Sequence, residues 1–291
     1  MSRRGVVRGV LMVLGFILLL LLVWEGAKAL GGDPWRFQDG SGAEVVYRPP
    51  FDWPVTSDRA LPHVWTIWNA LSSPVQRQQT QTLGEFLFGA ALYTGREALL
   101  GFLAGAVLGV ALAAIFVHSK TAERAFVPYV VASQTIPIIA LAPMIVFAFG
   151  ANVTSVVMIA TYLTFFPVTI AMIRGLRTFD PRAMELMRSY AASRSQIYWK
   201  LRIPASLPFL FVALKIAATA SIVGAIIGEG PCGINDGLGL VILTFNQYYI
   251  TGPEKLWAAI IASGLLGIVF YLLVSVAEHF ALRGRARLTL G

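Results

Sequence analysis

Residues 125–173 read AFVPYVVASQTIPIIALAPMIVFAFGANVTSVVMIATYLTFFPVTIAMI, without one Asp, Glu, Lys, Arg or His. About 20 apolar residues suffice to cross roughly 30 Å of hydrocarbon as a helix. This run is therefore twice too long for a single span. Gly150-Ala151-Asn152 is a turn signal in its middle, so the run predicts two helices back to back. The first of them carries Pro128, Pro137 and Pro143. Each proline removes an intrahelical hydrogen bond, which predicts a kinked or broken span.

Four further apolar stretches flank this pair. They are residues 9–24, 98–117, 203–228 (interrupted only by Lys215) and 256–277. The whole chain has 291 residues, 57% hydrophobic and only 13% charged, with a mean hydropathy of +0.71. Soluble domains carry about 25% charged residues, so a soluble fold is excluded. The fold class that follows is an all-α membrane protein with six transmembrane helices. Its expected organisation is an N-terminal helix over 1–30, an external loop over 31–82, a transmembrane domain over 83–282 and a tail over 283–291.

The net charge of +8 suggests nucleic acid until its carriers are placed. With the N-terminus inside, the inner segments hold 15 basic and 3 acidic residues, against 5 basic and 8 acidic in the outer ones. That is the positive-inside pattern. It predicts a multi-pass inner-membrane protein with both termini cytoplasmic, a lipid bilayer as surroundings and no nucleic-acid partner. Residues 3–29 also read as a signal peptide, with Ala27-Lys28-Ala29 as an A-x-A site. The orientation of the later helices is the same whether or not it is cut.

Little in the chain suggests chemistry. The lone Cys232 excludes an internal disulfide framework and a C-x-x-C site. His63, His118 and His279 are scattered, so no metal site is expected. No paired acids, His–acid pair or Cys–His pair is apparent inside the spans, which argues against an intramembrane enzyme, and no catalytic residue is assigned.

Four other features concern packing or passage. Gly101, Gly105 and Gly109 share one helix face and predict a close helix contact. Ser133, Gln134 and Thr135 lie beside the proline break and, with Thr161 and Tyr162, are candidates to line a polar path; interhelical hydrogen bonding is the plainer alternative. Lys215 is expected to snorkel or pair near the inner leaflet. Glu229 closes its span at the outer face, as a gate cap or as a solvated side chain. In the 31–82 loop Pro49, Pro50, Pro54, Pro62 and Pro74 forbid long helices, and residues 61–71 predict one short helix. That loop reads as a cap over helix ends or as a docking surface.

Between the fourth and fifth spans lies FDPRAMELMRSYAASRSQIYWKLRIPASLP, residues 179–208. Asp180-Pro181 is an N-cap followed by a first-turn proline. The helix it opens is expected to run to about Tyr190, with Ala191-Ala192 turning the chain. Ser193-x-x-Gln196 is a capping box that starts a second helix, and Ile203-Pro204 leads into the membrane. The pattern predicts a compact helical hairpin over 179–204; an amphipathic hairpin on anionic lipid is its plain alternative. Met184, Leu186 and Met187 beside Glu185 and Arg188 suit a surface that inserts into a partner.

This segment resembles the cytoplasmic signature E-A-A-x3-G-x9-I-x-L-P of the membrane subunits of binding-protein-dependent ABC importers. Glu185, Leu186, Met187, Ala191, Leu201, Ile203 and Pro204 stand at its positions, with Ala192 and Ser193 completing the turn. Alanine replaces the glycine at 191. Because alanine is penalised at positive φ, the expectation is a turn drawn without a left-handed residue there. The resemblance covers about residues 80–282. SQTIPIIALAPMIVFAFG is similar to the third-span pattern of the nitrate/sulfonate/taurine branch, and Gly237-Leu238-Gly239 to its outer loop. GINDGLG followed by TFNQYY looks more like members assigned to thiamine-pyrimidine or riboflavin-type precursors.

The resemblance implies an ABC importer permease for a small polar or heteroaromatic solute. Its hairpin would couple to a separate cytoplasmic ATPase, which would hold ATP and Mg; this chain has no G-x4-G-K-[ST] loop and no cofactor is expected in it. An external solute-binding protein and a second permease copy, as a homodimer, are the other implied partners. A secondary transporter or channel is the alternative, against which stands the absence of any midplane acid in 125–173.

Overall fold

The computed structural model describes residues 3–39, 42–75, 80–234 and 236–283. The tail over 284–291 lies outside them. The chain forms two compact units: residues 1–87 with 242–261, and residues 88–241 with 262–291.

The first unit is built on α1 (Arg3–Leu30), which contains the first expected span. α1 is followed by an antiparallel hairpin, β1 (Trp35–Asp39) and β2 (Gly42–Tyr47), which the proline-based reading did not anticipate. The expected short helix is α2 (Val64–Ser72). Charge, more than apolar area, fastens these pieces. Lys28 is buried on α1 and donates to Thr56 O (3.2 Å), Asp58 Oδ1 (2.7 Å) and Leu61 O (2.6 Å), so all three ammonium protons are used. One turn earlier, Glu25 accepts from the Val64 N–H (2.9 Å) and pairs with His63 Nδ1 (2.8 Å). Burial holds the His63 imidazole below its ordinary pKa, against the opposing pull of Glu25. The returning segment is tied to the same cap, through Tyr249 Oη to Ala60 O and Lys255 Nζ to Val75 O. Trp257 also meets Trp24 edge-on at 4.8 Å.

The second unit is a helix bundle. α3 (Leu83–His118) begins well before the expected span, which adds Thr94, Arg96 and Glu97 to its helical part. α4 (Lys120–Ser133) and α5 (Ile138–Phe149) meet at a bend of 102° where Pro137 caps α5, as the prolines predict. Gly150 at φ 88° and the Asn152 N-cap, which accepts from Ser155 N, make the turn into α6 (Val153–Gly175). α7 (Pro181–Ser189) and α8 (Arg194–Ile197) form the hairpin. A π-helical turn (Tyr198–Arg202) joins α8 directly to α9 (Ile203–Cys232). α10 (Leu238–Gln247) and α11 (Pro253–Leu282) complete the chain.

Among the described residues four helices are long and apolar enough to cross a membrane: α3, α6, the continuous 194–232 helix and α11. The bent α4–α5 pair makes a fifth if it is one span. α6 is the hub. Its Val156, Ile159, Ala160 and Val168 are wholly buried. The glycine stripe of α3 lies against it: a Cβ at Gly105 would stand 2.5 Å from Thr164 Cβ, and one at Gly109 2.7 Å from Phe165 O. On the other side, Gly224 of α9 brings its backbone to Ala160, where a Cβ would meet Cα at 2.7 Å. Small residues on both neighbours let α6 pack backbone to backbone, which replaces the hydrophobic drive that lipid does not supply.

Candidate functional site

The hairpin is held by local hydrogen bonds written in its sequence. Asp180 accepts from the Arg182 N–H (2.9 Å) and opens α7. Ser193 Oγ accepts from Gln196 N (3.3 Å) while Gln196 Oε1 accepts from Ser193 N (2.8 Å), a complete capping box. Between them Ala191 adopts φ 50°. This overturns the expectation of a turn without a left-handed residue. The Ala191 and Ala192 N–H groups donate to Arg188 O and Met187 O, and these terminal carbonyl bonds outweigh the cost of a left-handed alanine, about 1–2 kcal/mol.

Two anchors fix the base of the hairpin. Arg177 grips Glu123 of α4 in a two-pronged bond (2.8 and 2.6 Å), which raises the guanidinium pKa further above its ordinary value. The Tyr198 ring meets His118 at the end of α3, edge-on at 4.8 Å.

Not every apolar side chain of α7 faces out. Met184 is 8% exposed and belongs to the interior, which removes it from the expected insertion surface. Glu185 and Leu186 are exposed, Met187 is half-buried, and Tyr190, which the sequence reading passed over, is 79% exposed. The outward face therefore includes Glu185, Leu186, Arg188 and Tyr190. Leu201 and Ile203 are half-buried, and Pro204 follows the π turn at the start of α9.

The polar residues at the α4–α5 break are only partly brought together. Tyr162 Oη of α6 donates to Ser133 O at the end of α4. Gln134 is half-buried, and its amide nitrogen is buried without a hydrogen-bond partner. Ser133 and Thr135 hydroxyls turn back onto Val130 O and Ala132 O. Thr161 points away, toward Gly101 O of α3 at 3.3 Å, and serves the helix seam. Lys215 pairs with Glu278 of α11 and lies 5.8 Å over the Tyr271 ring, in keeping with the pairing expected of it.

The other end of α9 holds what the sequence reading missed. Glu229 is fully buried, so the solvated alternative fails, and α9 continues past it to Cys232. Thr94 Oγ1 of α3 donates to Glu229 Oε1 (2.6 Å) and accepts from the Leu238 N–H (2.9 Å). The Gly239 N–H donates to Glu229 Oε2 (2.5 Å). The carboxyl thus accepts one N–H of the first turn of α10, where the helix terminus favours an anionic or accepting group. Gly237 and Gly239 are required: a Cβ at either would collide with the Glu229 side chain. Glu97, 1% exposed, lies beside Glu229, and its two oxygens lack hydrogen-bond partners of standard geometry among the described residues. An acid pair does therefore exist inside the bundle, contrary to the sequence reading. The flanking glycines were its only trace.

Comparison with known proteins places this architecture. Residues 105–280 match the family described as binding-protein-dependent transport system inner membrane component, and the chain belongs to that family. It is 35% identical over 222 residues to the formylaminopyrimidine transport permease protein ThiX of Halalkalibacterium halodurans, covering 75% of this chain and 86% of that one. It is 28% identical over 270 residues to the riboflavin transport system permease protein RibX of Chloroflexus aurantiacus, covering 93% and 88%. The nitrate import permease protein NrtB of Leptolyngbya laminosa is 24% identical over 216 residues, covering 74% and 76%. The fold is also that of a solved amino acid ABC transporter with histidines: TM-score 0.56 at 17% identity, over 67% of this chain and 94% of that one. The protein is thus an ABC transporter permease subunit of multi-pass membrane type.

Proposed function

We propose that the chain forms the translocation half of an importer for a small heteroaromatic solute of the thiamine-pyrimidine or riboflavin-precursor type. In this reading a separate ATPase binds ATP and Mg and docks on the α7–α8 hairpin. An external binding protein delivers the solute, and two copies of the permease make the pore. α1 supplies the sixth span, both termini are cytoplasmic, and residues 31–82 are external. The domain boundaries are those given by the sequence, with the transmembrane domain at 83–282 and the coupling hairpin at 179–204.

The observation that carries this reading is the continuity of hairpin and span. α7 presents Glu185, Leu186 and Tyr190 outward. The capped turn at Ala191, Ala192 and Ser193 leads through α8 and the π turn, past Leu201, into α9 at Ile203 and Pro204 without a break in helix. A push on α7 therefore reaches a transmembrane helix across a single turn, 190–193, which the capping box and the Ala191 and Ala192 N–H bonds hold. The solute class rests on the 35% identity to the relative named for formylaminopyrimidine and on the 93% of this chain that matches the one named for riboflavin. Ser133, Gln134 and Tyr162 are the path-lining residues; Thr135 belongs to the same break, and Thr161 to the seam behind it.

The test is reconstitution of the chain in vesicles with its ATPase and binding protein, followed by uptake of formylaminopyrimidine and riboflavin. Glu185→Ala and Ala191→Pro should leave the chain in the membrane, weaken ATPase pull-down and abolish uptake. Loss of one side of a docked charge pair costs about 2–5 kcal/mol. Uptake driven by an ion gradient without ATP would instead make the chain a secondary transporter or channel. Gln134→Leu should lower uptake without affecting docking.

A further inference from the structure

A cleft of about 690 Å³ opens at the hairpin end of the helix bundle, between the end of α3, the start of α4, residues 177–179 and the last residue before α9. Four cations line it, Lys120, Arg124, Arg177 and Arg202, against a single acid, Glu123. Arg177 already neutralises Glu123 through its two-pronged bond. Lys120, Arg124 and Arg202 make no ion pair among the described residues, and Arg202 stacks 5.4 Å over the Phe179 ring. The remaining walls are apolar: Val117, Val127, Pro128 and Phe179.

α4 adds a second, independent feature. None of its residues is buried. Lys120 and Arg124 lie toward the cleft, while Phe126 and Tyr129, 59% and 73% exposed, lie on the opposite side of the helix. A helix that starts at the ends of membrane-spanning helices, basic on one side and aromatic on the other, is the pattern of a segment that enters the membrane through the lipid headgroup layer.

We infer that this cleft seats the phosphodiester headgroup of an anionic phospholipid. Arg124 and Arg202 would fork onto the phosphate oxygens, Lys120 would supply a further charge, and the Val127–Pro128 wall would meet the first methylenes of the acyl chains. Both parts of the cleft are needed for this ligand. A free anion has no use for the apolar wall, and a neutral lipid has none for three uncompensated cations.

The probe is dioctanoyl phosphatidylglycerol against dioctanoyl phosphatidylcholine, titrated onto the detergent-purified full chain and counted as bound adducts by native mass spectrometry. The wild type should prefer phosphatidylglycerol roughly tenfold or more. Each basic residue near such a headgroup accounts for about a fivefold change, so K120Q/R124Q should erase most of the preference. K120R/R124K should keep it, which separates charge from folding. R188Q/R194Q, an equal loss of charge on the hairpin outside the cleft, should also keep it. Equal binding of the two lipids by the wild type overturns the proposal. So does a preference that survives K120Q/R124Q, or acyl-free glycerophosphoglycerol binding as tightly as the lipid, which would make the cleft a free-anion pocket. If K120Q/R124Q abolishes ATPase pull-down while its lipid preference persists, the cleft is a protein contact and the lipid assignment falls.

Discussion

The two ends of α9 are secured in opposite ways. At its start, the hairpin is held by caps that reach two or three residues along the chain: Asp180 to Arg182, and Ser193 to Gln196 and back. Its surface is charged and open. At its finish, Glu229 is held by Thr94, 135 positions away in sequence, and by the N–H of Gly239 on the next helix, in a place closed to solvent. Local bonds fix the shape of an element whatever surrounds it, which the proposed docking of a separate partner on the hairpin would require. Distant bonds exist only when the whole bundle is assembled, so the Glu229 end reports on the arrangement of α3, α9 and α10 together.

Substitutions can break that contrast or sharpen it. The largest effect should come from Gly239→Val. Even one Cβ there would stand 2.8 Å from Glu229 Cβ and closer still to Ile226 O, so a branched side chain should cost about 3 kcal/mol or more. Thermal unfolding in detergent should register this as a large drop in midpoint. A midpoint near that of the wild type would mean that α10 is not seated on Glu229.

Thr94→Val comes next. It leaves Glu229 Oε1 without a donor and the Leu238 N–H without an acceptor, both buried, at about 1–3 kcal/mol apiece. Thr94→Ser keeps the hydroxyl and should recover most of the loss in the same melt. Equal midpoints for the Val and Ser variants would show that the hydroxyl contributes nothing.

Ser193→Ala removes one half of the capping box and should cost about 1 kcal/mol. Because the damage is local, proteolysis between 190 and 197 should accelerate while the global midpoint barely moves. A large fall in midpoint would erase the distinction between the two ends.

The smallest effect has the opposite sign. Ala191→Gly relieves a left-handed alanine and should stabilise the turn by about 0.5–1 kcal/mol after the added freedom of the unfolded chain is counted. Slower proteolysis of the hairpin is the readout; faster proteolysis would mean that the alanine is not strained.

The same contrast explains what the sequence made legible. The hairpin was readable almost to the residue because caps, a first-turn proline and a glycine-like turn act over three or four positions. The break before Pro137 and the α3 seam were readable for the same reason: prolines and a four-residue glycine spacing are local marks of what a helix must do. Ala191 was misread because its φ depends on the bonds the turn makes at both sides, and propensity weighs only the residue. Met184 was misread because α7 carries apolar residues on more than one side, and composition does not say which of them meets the bundle. The Glu97–Glu229 pair was hidden by distance, 132 positions apart. Its only trace, Gly237 and Gly239, reads equally well as an ordinary turn. The β1–β2 hairpin was hidden by a rule correctly applied: the prolines forbade helix and said nothing against strand.

The unbroken helix from Arg194 to Cys232 has a consequence for anyone exchanging parts between related transporters. At 1.5 Å per residue, 39 residues form a strut approaching 60 Å, with a π turn near its start and Pro204, Pro208 and Pro231 along it. One helix carries the hairpin at its start and Glu229 near its end, so a regrafted hairpin that shifts or rotates α9 also moves Glu229 against α10. A chimera chosen for its hairpin alone therefore also perturbs a contact near the far end of the same helix.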